Sequence, residues 1–198
     1  MAGGRSEDIL FGVLLAACDP ASVALHTNLS IGHRQEGRRT RSGTLGEPAT
    51  PVTNQWLADL LRSAAADFHA DTPPARCVAL AGVLRDAASA SNARLGEMVA
   101  GYLRFARADM AANLARIRDE ADDAPDFWKR DVERMIAVHR DALVRAPEPR
   151  FSDWATAGAA GIAALRDTLT SFAGVLDAWP SLHDHAARSA ESLLQDQA

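Results

Sequence analysis

The 198-residue chain has only two cysteines, one lysine and one tyrosine, and aromatic residues make up 6% of it. Cys18 and Cys77 fall in no Cys-x-x-Cys or Cys/His spacing, so neither a disulfide scaffold nor a zinc knuckle is encoded. They are expected as two buried or half-buried thiols of a protein in a reducing compartment. Strand-forming β-branched and aromatic residues are too few for a sheet-rich fold. No apolar run reaches the roughly 18–20 residues of a membrane span. The chain holds no Glu-x-x-His pair of a diiron bundle, no Gly-x-Ser-x-Gly elbow and no strand-borne glycine-rich phosphate loop. These gaps turn the reading away from an enzyme and from any bound cofactor.

Alanine fills the space, with 41 residues, and 20 arginines supply nearly all the positive charge. Both favour helix. The formal net charge is −5 and the pI about 5.6, a balance that argues against nucleic acid as the main partner. The chain reads as a cytoplasmic all-α protein, an antiparallel helical bundle of three to four long helices with short terminal helices.

Hydrophobic periodicity and helix-stop residues divide the chain into a short apolar helical segment over 1–31, a Gly/Arg-rich loop over 32–53 and a bundle over 54–198. The first segment reads as a helix over 6–18, ended by Asp19-Pro20. Its Leu15-Ala16-Ala17-Cys18 resembles a lipoprotein cleavage box, but Glu7 and Asp8 stand where a signal peptide carries positive charge. The loop has the most basic stretch of the chain, with Arg38, Arg39 and Arg41, and these suit an acidic or phosphate-bearing partner.

A helix follows over 53–70, capped by Thr53 or Asn54 and stopped before Pro73-Pro74. From Ala75 to about Ala121 no proline interrupts, so one long helix is expected. Cys77, Ala81, Leu84, Ala88, Ser91, Leu95, Met98, Tyr102 and Phe105 recur on it as a heptad seam. The next helix spans 126–145 and carries His139 on its apolar face. Another is expected from a Ser152 cap to Trp179, ended by Pro180, with a last helix to about 195. Gly158 and Gly161 form a small-residue strip suited to close helix contact.

Among the candidate residues, His139 is the cofactor candidate, and His183 and His185 are metal candidates that splay apart on a helix. The contact surface is expected at Leu84, Leu95, Met98, Tyr102, Phe105, Gly158 and Gly161, with Arg38, Arg39 and Arg41 on the loop. The expected function is a non-enzymatic one: binding a protein partner or self-associating, as an oligomer or within a larger assembly. Two alternatives stand beside it. One is a small-molecule or hydrophobic-surface binder that lays an apolar helix face on lipid or a storage granule. The other is a bacterial secreted effector or secretion chaperone, a delivered protein whose first fifth serves export.

Overall fold

A computed structural model describes residues 7–22, 50–145, 148–154 and 157–195. Among them are six helices and no strand: α1 (Glu7–Cys18), α2 (Thr53–Ala65), α3 (Pro73–Ser89), α4 (Asn92–Glu120), α5 (Asp126–Arg145) and α6 (Gly158–Gln195). The all-helical class follows from the alanine-rich composition. Two compact units divide the chain.

The first unit holds α1, α2, α3, the opening turns of α4 up to Val99, and the chain from Pro149 onward. Its largest interface lies between α3 and α6. Leu80, Ala81, Leu84 and Ala88 of α3 and Ile162, Leu165, Leu169, Ala173 and Leu176 of α6 are buried. The α6 set steps by three and four residues, and on α3 Leu80 and Ala81 lie four and three residues before Leu84, spacings that keep side chains on one helix face. Each leucine removed fully from water contributes about 2 kcal/mol. Polar ties run along the seam: Arg166 bonds the Ala88 carbonyl and the Asn92 side chain, and Arg85 pairs with Asp177. Position 88 lies by Arg166 and 85 by Asp177, so the two helices run in opposite senses.

The start of α2 is held from far away. Val52 occupies the N-cap position and its side chain makes no cap bond. Asp153 fills that role instead, because its Oδ1 accepts from the Thr53 backbone N–H at 2.9 Å and from the Thr53 hydroxyl at 3.1 Å. Thr53 Oγ1 in turn accepts from Trp154 Nε1 at 3.1 Å. Phe151 is wholly buried between Trp56 and Trp154. The expected cap by Thr53 or Asn54 is therefore corrected: Thr53 is the first helical residue and donates. Ser152 caps no helix either, since its N–H and hydroxyl bond the Pro51 carbonyl.

The expected single helix over 75–121 is two. Ala90 turns to an extended conformation, and Ser91 Oγ accepts from the Arg94 N–H at 3.2 Å, opening α4. Short polar side chains that bond nearby backbone favour such caps over helix interiors. Pro73 and Pro74 open α3, with Thr72 Oγ1 accepting from the Ala75 N–H. The last two expected helices are one. Gly158, at φ 66°, starts α6, which continues through Pro180 to Gln195. Pro180 removes one helical N–H, and the residues on either side of it are exposed. A helix there keeps its remaining bonds without having to fit a neighbour.

The second unit includes Ala100–Glu148, the rest of α4 and all of α5. Val132, Ile136, His139 and Ala142 form the buried stripe of α5, whose limits match the expected 126–145. Asp126 in its first turn and Arg145 in its last suit the helix dipole. On α4 the buried side chains are Leu95, Val99, Leu103, Arg107 and Ala111, each four residues after the last. Four residues turn a helix by about 400°, so this stripe drifts by about 40° per step and leaves the heptad line. Met98 and Tyr102 are accordingly half-buried, and Phe105 is 71% exposed.

Candidate functional site

The sequence-derived candidates do not converge on one place. Leu84 and Leu95 are fully buried and serve the chain's own packing. Gly161 is buried and Gly158 half-buried at the start of α6. Arg38, Arg39 and Arg41 lie outside the described residues. His183 and His185 are exposed, and His183 Nδ1 lies 3.8 Å from Asp184. Among the described residues no cluster of three or more His, Cys, Asp or Glu could hold a metal.

His139 is only 2% exposed, and its Nδ1 has no hydrogen-bond partner. Arg107 is 6% exposed, and its Nε likewise has none. Burial lowers the imidazole's proton affinity, and the nearby Arg107 charge lowers it further. Its surroundings in the interior of the second unit thus favour the neutral imidazole.

Helix α1 of the first unit leaves large apolar side chains exposed. Its sequence, Glu-Asp-Ile-Leu-Phe-Gly-Val-Leu-Leu-Ala-Ala-Cys, is apolar almost all round. Only one side is used: Leu10 and Ala17 are buried, and α2 is the main neighbour. Ile9, Phe11 and Leu15 are 48%, 62% and 46% exposed. Gly12 and Ala16, one turn apart, are also exposed, and a Cβ added at Gly12 would meet nothing within 4 Å.

This small-residue side of α1 borders a groove of about 470 Å³. Ile9, Gly12, Val13, Ala16 and Ala17 line one wall, and Ala65 and Ala66 at the end of α2 line the other. Asp8, Arg62 and Arg76 supply the charges at its edge. Arg62 pairs with Asp59 at 2.5 Å. Apolar and charged side chains share the lining, so the groove is open and of mixed polarity.

Arg76 closes the far end. Its Nε donates to the Ala17 carbonyl at 2.5 Å and its Nη1 to the Ala70 carbonyl at 3.2 Å, with the guanidinium 5.8 Å from the Phe68 ring centre. A cation at a helix C-terminus satisfies carbonyls that have no helical partner. Beside it the two cysteines meet, Cys77 Sγ lying 3.1 Å from Cys18 Sγ. Both are free thiols, Cys77 buried and Cys18 half-buried. Burial, reinforced by the bond to Cys77, pushes the Cys18 thiol up to about 12.

Sequence reasoning treated these cysteines as separate. Their contact spans 59 residues, and no local spacing encodes it. The exposed side of α1 had a sequence signal, its all-round apolarity. No protein-family model, curated protein or solved structure matches the chain.

Proposed function

We propose that the chain is a non-enzymatic helical-bundle protein that acts through protein–protein contact, and that α1 carries the contact. The observation that supports this most is the bare apolar side of α1, with Ile9, Phe11 and Leu15 exposed around Gly12 and Ala16. Large apolar side chains gathered on one exposed helix face favour burial against another surface. The occupant this face fits best is the α1 of a second copy. Gly12 and Ala16 leave room for a helix backbone to come close, and Ile9, Phe11 and Leu15 would flank it. Two identical faces meeting about a twofold axis bury each other, and the contact closes at a dimer.

Sedimentation velocity across a concentration series tests the reading. The wild-type chain is expected to associate, and Phe11→Glu with Leu15→Glu to shift it to monomer. Val144→Glu, a change at a residue 86% exposed on α5, is expected to leave association intact. A wild-type chain that stays at 21.1 kDa throughout contradicts the proposal.

A further inference from the structure

Cys18 ends α1 and Cys77 lies in the second turn of α3, with their sulfurs 3.1 Å apart. A disulfide holds its sulfurs at about 2.05 Å, so a closure of about 1 Å separates the two thiols from a bond. The surroundings fix this approach. Arg76, adjacent to Cys77, holds the carbonyl of Ala17, adjacent to Cys18, at 2.5 Å. Ala17 and Cys77 are both buried, so neither end of the pair swings freely.

We propose that Cys18 and Cys77 form an oxidisable dithiol, a modification site whose co-substrate is a hydroperoxide and whose product is an intramolecular disulfide clasping α1 to α3. Cys18 is the sulfur an oxidant reaches, because Cys77 is only 2% exposed. On losing its proton, the Cys18 sulfur attacks one oxygen of hydrogen peroxide. The O–O bond breaks, the departing hydroxide takes up a proton as water, and Cys18 becomes a sulfenic acid. The Cys77 sulfur then attacks the Cys18 sulfur. The S–S bond forms, the S–O bond breaks, and the Cys77 proton leaves with the hydroxyl as a second water. Two thiols and one peroxide give one disulfide and two waters; the sulfurs lose two electrons and the peroxide oxygens gain them.

The same environment sets the pace. With the Cys18 thiol pushed up to about 12, little thiolate exists near neutral pH, and the first step is slow. The second step is fast, because its partner already lies in contact. The clasp therefore answers sustained oxidant rather than a brief pulse, and the adjacent Cys77 traps the sulfenic acid before further oxidation.

The test uses the full-length protein, reduced, freed of reductant and exposed to hydrogen peroxide. Intact mass and non-reducing peptide mapping are then read. The expected result is a loss of about 2 Da per chain and a peptide joining Cys18 to Cys77. Its rate should rise about tenfold per pH unit between about pH 7 and 10. Cys18→Ser and Cys77→Ser should each abolish the joined peptide. Three results would overturn the proposal: both thiols left free by peroxide that oxidises the guanidinium-unfolded chain, disulfides formed only between chains, or sulfinic acid on Cys18 with Cys77 untouched. An intramolecular link forms in monomer and dimer alike, so this test is independent of the self-association reading.

Discussion

At the residue scale, the second unit buries two groups that would each be better served by water. Arg107 Nε and His139 Nδ1 have no partner, and an orphaned buried donor or acceptor costs about 1–3 kcal/mol. Arg107→Met keeps the long apolar stem and removes the orphan, so it is expected to be neutral or to stabilise by about 1 kcal/mol in denaturant titration. A loss above about 2 kcal/mol would show that the guanidinium is satisfied in solution. His139 makes a pH prediction of the opposite kind. Its ordinary value is 6.5 and the folded value is lower, first through burial and then through Arg107. Below 6.5 the unfolded chain binds a proton that the folded chain refuses, so stability falls as pH drops. The wild-type denaturation midpoint should decline between about pH 7 and 5, and His139→Gln should lack that component. His139 was legible as a buried histidine from the apolar stripe of its helix. Arg107 was not, because an arginine ordinarily marks the solvent side of a stripe.

At the element scale, α5 was the most legible helix. Its apolar stripe, its acidic start and its basic end agree on the same limits. The break between α3 and α4 carried its own signal, Ser89-Ala90-Ser91-Asn92, but the continuing apolar spacing outweighed it in a reading by period. Pro180 misled in the other direction: local rules end a helix there, whereas α6 runs on through an exposed stretch. The cap of α2 was illegible in principle, since Asp153 lies 100 residues from Thr53. Removing it should show. Asp153→Ala is expected to cost about 1–2 kcal/mol, read as a lowered urea midpoint. A change within about 0.5 kcal/mol would mean that α2 starts without it. The cysteine clasp acts on elements too. Cross-linking across 59 residues restricts the unfolded chain by about 4 kcal/mol in the loop-entropy view. For a chain of this size the oxidised form should melt about 10 °C above the reduced one. An unchanged or lower melting temperature would mean that the bond strains the α1–α3 contact.

At the scale of the whole molecule, one unit buries its stripes well and still leaves an apolar helix half bare. The packing of α3 on α6 needs no partner: Leu80, Leu84, Leu165 and Leu169 are essentially removed from water within the chain. Helix α1 is different, because Ile9, Phe11 and Leu15 on its outer side stay about half exposed. The sequence marks this helix as apolar, but which side is spent on α2 and which stays free depends on contacts no local pattern specifies. The heptad seam that suggested a contact surface turns out to split between core and surface, with Leu95 buried and Phe105 exposed. Association is proposed to rest instead on α1. The most direct measurement replaces Phe11 with a photo-crosslinking phenylalanine, an exchange of similar shape at an exposed site, and maps the products by mass spectrometry. The account predicts a covalent species of twice 21.1 kDa whose cross-link joins α1 of one copy to α1 of another. A chain that gives no such species at about 0.1 mM, where even weak specific dimers are populated, or whose cross-links land outside α1, would contradict it.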